Sequence, residues 1–413
     1  MRVAEDRGQA AEKQPDRARL PIRDLLRRGR HAAVREEIAA RLRQPEGQRW
    51  LDDLIGEAIT WDDLAQADAL VRLVAGLRQT LPEGQARDAP AQDPGRLVSA
   101  GKLAHDIEQF EWLATQGLLD DLAADLTAAY ARALKRFDGA PGAHRLPADQ
   151  LGEPLVERYF GRLLHLAEGP RVAQALSGAW SGATVEARYL DTAPGLVVID
   201  DFLGPEALAG LRHFCLASTV WNANRYGHGR LGAFVRDGFS CPLLFQIADE
   251  LRARLPRVLE QGMPLKQLWG FKNAAHQPAD AAIHADFAAV NVNFWLTETD
   301  ANADPATGGM SVFTMDAPPE WDFEMYNARS DLIHDFLERS RARRIRIPYR
   351  ANRAIIFNSD LFHGTDRVDF RPGYEARRIN VTFLYGNREN DRHHRRISAP
   401  ASAWRSAAFG RAR

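Results

Sequence analysis

The sequence predicts an α+β protein in which an α-helical N-terminal region precedes a strand-rich domain. Two patterns predict this. Early in the chain, apolar residues recur at helical spacing; later they fall into short runs whose side chains alternate with a period of two. A third observation, a histidine and an aspartate two residues apart in an extended stretch, marks where the chemistry is expected.

Residues 1–20 are charged and poor in apolar side chains, so they are expected to be disordered. Residues 21–185 read as an α-helical region and connector, with the helical pattern running to about 137. Segments 31–42, 50–59, 61–81, 97–114 and 118–137 read as helices, punctuated by Pro45-Glu46-Gly47, Pro82-Glu83-Gly84 and a Pro/Gly/Asp-rich loop at 85–96. Asp62 and Asp63 open the third of these and suit the positive end of its dipole. No repeat of fixed period is present, so the helices are expected to buttress the following domain or to form a homodimer surface. A connector follows, with Gly139, Pro141, Gly142 and Pro147 marking its seam.

The domain itself is expected to span 186–388. It opens on the segment 194–203, read as a buried strand, and then an amphipathic helix that starts at Gly204-Pro205. Residues 221–239 are rich in Gly, Arg and aromatics and read as a long functional loop. Segments 290–296, 354–357 and 378–385 read as strands, while 300–307 and 318–327 interrupt them as rim or lid elements. A basic tail, 389–413, is expected to be solvated or to touch another subunit.

Composition bounds the function. Hydrophobic residues make up 45% and charged residues 26% of the 413, and the net charge is −1, which gives no electrostatic reason to expect nucleic acid or membrane partners. Two cysteines, Cys215 and Cys241, are too few for a disulfide framework. With no apolar stretch of membrane-spanning length and no leader-like N-terminus, a cytoplasmic protein is expected.

The candidate site lies in Ile283-His284-Ala285-Asp286-Phe287. His284 and Asp286 share one face of an extended segment because side chains alternate. Among twelve histidines this is the one HxD match, and roughly one is expected by chance, so context decides. The context is His363, just past the apolar run Ala354-Ile355-Ile356-Phe357. Two imidazoles and a carboxylate on one side of a metal leave positions open, as in non-haem Fe(II) oxygenases. Further on, alternation puts Arg378, Asn380 and Thr382 on one face and Ile379, Val381 and Phe383 on the other. A guanidinium there is suited to bidentate capture of a carboxylate. Arg377 competes for that role but falls with the apolar set. Asp366 and Asn358 are expected partners that fix the His363 tautomer, and Asn291, Asn293 and Trp295 are assigned to no face. His276 is a spare ligand that reads better as a surface histidine, and His393 and His394 fall too late in the chain.

The order HxD, distal histidine, then a basic residue on the next strand resembles the 2-oxoglutarate/Fe(II)-dependent oxygenase superfamily, in particular its prolyl-4-hydroxylase-like branch. Gly308-Gly309-Met310-Ser311-Val312-Phe313 is similar to the glycine-containing strand between the metal-binding segments of such proteins. The resemblance covers roughly 190 to 388 and implies a double-stranded β-helix, a jelly-roll or cupin-like barrel. It implies iron ligation by His284, Asp286 and His363, pairing of Arg378 with the distal carboxylate of 2-oxoglutarate, and use of O2. The segment 268–276 lacks the tyrosine often found before the motif in prolyl hydroxylases. Asp286 is retained where related halogenases carry a small residue, which implies hydroxylation with release of succinate and CO2. A small molecule or amino acid is the expected substrate. The alternatives are a peptide or protein side chain recruited by the helical region, and a metal-binding barrel that uses no 2-oxoglutarate.

Overall fold

The computed structural model describes residues 20–61, 63–80, 97–139, 144–226, 229–260, 263–278 and 283–388. The expected disordered start up to residue 19, the loop 85–96 and the basic tail with His393 and His394 lie outside the described residues.

The helical spacing of the early sequence yields helices. These are α1 Leu20–Arg27, α2 His31–Leu42, α3 Gly47–Ala58, α4 Leu64–Thr80, α5 Ala100–Thr115 and α6 Asp120–Leu134. Asp63 does more than suit a dipole: its Oδ1 accepts hydrogen bonds from the backbone N–H groups of Ala65 and Gln66, so it caps α4. Before α5, the chain forms a short strand, β1 Leu97–Ser99, which pairs with β2 Arg145–Pro147. The connector and early domain add α7 Pro154–Tyr159, α8 Gly182–Asp191, β3 Leu196–Ile199, α9 Pro205–Ala217 and α10 Pro242–Arg254.

The remaining strands are β4 Ala223–Tyr226, β5 Arg230–Phe234, β6 Leu265–Lys272, β7 His276–Gln277, β8 Val290–Trp295, β9 Met310–Asp316, β10 Arg344–Ile347, β11 Ala354–Asn358, β12 Leu361–Thr365, β13 Val368–Asp369 and β14 Ile379–Tyr385. Two short helices, α11 Phe323–Asn327 and α12 Ser330–Arg339, separate β9 from β10. A large antiparallel sheet has the order β3-β11-β8-β14-β6-β5-β4, and a smaller one the order β10-β9-β12. An isolated bridge between His284 and His363 adds the segment before β8 to the edge of the smaller sheet.

Segment 221–239, read from sequence as a long loop, is instead largely the β4–β5 hairpin, which pairs with β6 and extends the large sheet. Its Arg and aromatic residues disguised the alternation: Leu231 and Ala233 are buried in the core while Arg230 and Phe234 face the other way, into a cavity.

The two faces of the large sheet do different work. Val292, Phe294, Val381 and Phe383 pack against α9 and α10, in an apolar cluster that also takes in Val71 of α4, Phe110 of α5 and Tyr130 of α6. The early helices therefore share a core with the sheet. Ile355, Phe357 and Trp295 turn the other way and meet Val312, Ile347 and Leu361 of the smaller sheet. Both cysteines are free and buried, and burial pushes the Cys241 thiol up to about 12. No helix among the described residues is long and apolar enough to cross a membrane.

Gly309 permits the close approach of β9 to β10. A Cβ there would lie 1.9 Å from the Ile347 carbonyl oxygen, and backbone cannot move aside cheaply. Gly309→Ala should therefore lower the unfolding free energy by about 1–3 kcal/mol, the usual cost of overpacking, as read from denaturant titration; an unchanged midpoint would show that the strands separate freely.

Candidate active site

The site sits between the sheets. His284 donates its backbone N–H to the His363 carbonyl at 3.0 Å, and His363 returns the bond to the His284 carbonyl at 2.8 Å. This reciprocal pair places two imidazoles side by side, with ring centroids 4.6 Å apart. Asp286 is fixed by its N–H to the Ser359 carbonyl, and Ala285 by its N–H to the Tyr326 carbonyl. Asp286 Oδ1 then lies 3.7 Å from His284 Nε2, and its Oδ2 lies 3.4 Å from His363 Nε2. One ligand atom from each of the three falls within 4.8 Å of the others. Distances of this size leave room for an ion among the three atoms.

The Asp286 carboxyl is buried, which alone would raise its pKa. The hydrogen bond and charge from His363, the charge of His284 and the Asn291 amide outweigh that and hold it below the usual carboxylate range. Asn291 Nδ2 donates to Asp286 Oδ2 at 2.6 Å. Asn293 donates to Asn291, and Asn293 Oδ1 in turn accepts from Asn380 Nδ2 at 2.9 Å and Thr382 Oγ1 at 2.7 Å. A buried amide in a central strand is costly unless hydrogen-bonded, and this chain of contacts meets that requirement. Among the described residues, Asn380 Oδ1 finds no hydrogen-bond partner.

The His363 tautomer is fixed differently from expectation. Its Nδ1 contacts the Leu361 carbonyl at 2.9 Å, so that nitrogen carries a proton, and Nε2 is the ring nitrogen turned toward Asp286. Asp366, at an odd offset on the other face, binds Arg344 at 3.3 Å instead, and Asn358 donates to Asp316 at 3.0 Å. Neither touches His363: a backbone carbonyl does the work assigned to these side chains. His276 lies at the surface, 2.8 Å from Asp369.

Arg378 and Arg377 point to opposite sides, as parity predicts. Arg377 donates to Glu108 of α5 at 2.6 Å. Arg378 is 1% exposed and lines the same cavity as the triad, with Asn380 and Thr382. Its hydrogen-bond acceptors are uncharged: the Gly308 carbonyl at 2.6 Å, and Asn273 Oδ1 and the Gly309 carbonyl at 3.3 Å each. The guanidinium lies over the rings of Trp295 and Tyr349. Burial pushes its pKa down to about 10 against the pull of Tyr349; Arg230 adds to the fall and Asp366 opposes it. It remains charged at neutral pH.

The cavity of about 180 Å³ is also lined by residues that the sequence reading did not assign to it: Arg230, Phe234, Trp269, Phe271 and Phe323. The unusual content of 221–239 was the available signal for the first two. Phe323, from the segment read as a rim or lid, stands at 54% exposure. Asn291 and Asn293, left open between cavity and solvent, line the cavity, whereas Trp295 is core.

The architecture is thus a mixed helix-and-sheet fold with a large and a small antiparallel sheet, and two histidines, one carboxylate and a buried arginine line one cavity. No family model and no curated protein matches the chain. Among solved structures it is similar to the non-haem alpha-ketoglutarate-dependent carbocyclase SnoK from nogalamycin biosynthesis, at 12% identity and a TM-score of 0.37 over 51% of this chain and 87% of that one. It is similar also to HygX from Streptomyces hygroscopicus with nickel, 2-oxoglutarate and hygromycin B bound, at 14% identity and a TM-score of 0.34 over 51% and 88%. A prolyl-4-hydroxylase from Pseudomonas putida aligns at 14% identity and a TM-score of 0.29 over 50% of this chain and 99% of its own.

Asn291→Ala removes the amide that orients Asp286. Divalent-metal affinity should fall about 10–100-fold, as for other groups that orient metal ligands, in anaerobic competition against a chelator. Equal affinity in the variant would show that the carboxylate needs no such support.

Proposed function

We propose that this protein is an Fe(II)- and 2-oxoglutarate-dependent dioxygenase that hydroxylates an unactivated C–H bond of a small molecule or amino acid. The observation that carries the reading is a three-ligand cluster and a buried guanidinium, without a carboxylate among its hydrogen-bond partners, inside one cavity. His284 Nε2, His363 Nε2 and an Asp286 oxygen would hold the metal, a donor set that suits iron and leaves coordination positions for other ligands. Arg378 would hold the distal carboxylate of 2-oxoglutarate, completing a charge pair that the protein itself leaves incomplete. With both bound, O2 would be the oxidant: two of its four electrons would come from 2-oxoglutarate, which leaves as succinate and CO2, and two from the substrate C–H bond, which is hydroxylated.

The chain's own contribution is positioning and exclusion of water. Asn291 holds one oxygen of Asp286, and the Leu361 carbonyl holds the His363 ring. The floor made by Trp295 and Tyr349 keeps the Arg378 guanidinium in a dry setting, where its attraction to a carboxylate is strengthened. A barrel that binds a divalent metal without 2-oxoglutarate would leave Arg378 unexplained.

The test is succinate formation from 2-oxoglutarate by the Fe(II)-loaded protein in air. Asp286→Ala should lower it by at least about a hundredfold, and Arg378→Gln should raise the KM for 2-oxoglutarate about tenfold or more, the worth of a charge-assisted pair. An unaltered KM in the Arg378 variant would remove that residue from the cosubstrate site.

A further inference from the structure

We propose that Glu108 of α5 is a positioning residue for 2-oxoglutarate: its ion pair with Arg377 sets how the neighbouring Arg378 is presented to the cavity. This deepens the reading above and rests on it, and it gives the helical region a part in the reaction site.

Arg378 stands one residue ahead of β14, whose pairing with β6 begins at Ile379. How firmly it is held therefore depends on the turn that precedes it, Tyr374–Ala376. That turn is seated on one face of α5. His105, Glu108 and Trp112 follow one another along the helix at steps of three and four, so they line one side of it. The His105 ring meets the Tyr374 ring edge-on at 5.7 Å, and the Trp112 ring lies 5.9 Å from the same tyrosine. Between them, Glu108 Oε2 accepts from Arg377 Nε at 2.6 Å. The Tyr374 hydroxyl donates to the Leu216 carbonyl at 2.7 Å and accepts from Lys272 Nζ at 2.8 Å. Lys272 directly precedes Asn273, which holds Arg378 twice: its Oδ1 accepts from the guanidinium, and its N–H donates to the Arg378 carbonyl at 3.0 Å. Both arms that support Arg378 thus lead back to α5.

The charge of Glu108 is what the arrangement needs. Arg377 is 7% exposed and Arg378 1%, so guanidiniums on successive residues are withdrawn from water. A buried cation without a counter-charge is costly. Glu108 supplies that charge to Arg377, whereas Asp106, also on α5, is engaged by Lys102 and His105. Arg378 is bonded to neutral acceptors and keeps its charge for the ligand. Without the Glu108 carboxylate, Arg377 would be drawn toward water and would turn the peptide it shares with Arg378. Bidentate capture of a carboxylate requires the planar guanidinium at a fixed angle, and a small misplacement is expensive there.

The test is anaerobic calorimetry on the full chain, with Fe(II) and then 2-oxoglutarate titrated in separate steps. Glu108→Gln keeps the size and removes the charge; it should weaken 2-oxoglutarate binding about tenfold and leave Fe(II) affinity within about twofold. Glu108→Asp restores the charge and should recover binding to within about threefold of the wild type. Arg132→Gln breaks an ion pair with Glu153 elsewhere in the helical region and should change neither affinity. In an Arg378→Gln background, Glu108→Gln should add no more than about twofold, because it acts through Arg378. Unaltered 2-oxoglutarate binding in Glu108→Gln, or an equal loss of both ligands, would overturn the proposal. So would Glu108→Asp binding no better than Glu108→Gln, or the full tenfold loss persisting in the Arg378→Gln background. Failure of the wild type to bind 2-oxoglutarate would instead defeat the cosubstrate reading, and the wild-type titration alone shows it.

Discussion

The reciprocal backbone hydrogen bonds between His284 and His363 hold the site together. They join two segments far apart in sequence and set the imidazoles 4.6 Å apart. Alternation then carries Asp286 to the same side as His284, and the Ser359 carbonyl stops it from rotating away. Without this bridge nothing would hold the His284–Asp286 segment against His363 of β12. The smaller sheet and the helices between β9 and β10 keep the bridge dry from one side, since Ile283, Ala285 and Phe362 pack with Tyr326, Ile333 and Leu337.

The large sheet supplies the other side, and at a cost. β8 is buried along its whole length, yet alternate positions are Asn291 and Asn293. An apolar strand would serve stability better, because each buried amide left unbonded costs about 1–3 kcal/mol. The strand keeps its amides because they pass from Asp286 through Asn293 to Asn380 and Thr382, and so connect the ligand cluster to the strand that Arg378 precedes. Arg378 is a similar concession. A buried guanidinium bonded to neutral acceptors is tolerated by the fold and has most to gain from an anionic ligand.

Much of this was legible from residue order. A period of two placed His284 with Asp286, and Arg378 with Asn380 and Thr382; it also turned Arg377 outward, where α5 supplies Glu108. Helical spacing located α2 at 31–42 and the later helices to within a few residues. What was not legible depended on tertiary pairing. The β4–β5 hairpin carries Gly, Arg and aromatics on its cavity face, so its alternation reads as loop composition until β6 lies alongside. The group that fixes His363 is a carbonyl, and any residue can supply one, which is why the side chains Asp366 and Asn358 drew the assignment. That the helices share a core with the sheet is likewise invisible to periodicity, which shows that a face is apolar but not what covers it.

The most direct test of the central claim, that one cavity binds metal and 2-oxoglutarate together, is an anaerobic titration of the apo-protein with Fe(II) and then 2-oxoglutarate, followed by visible absorption. A weak metal-to-ligand charge-transfer band should grow only when both are present and should be absent in His284→Ala. Iron binding without any band on addition of 2-oxoglutarate would show that the two do not meet in this site and would contradict the account.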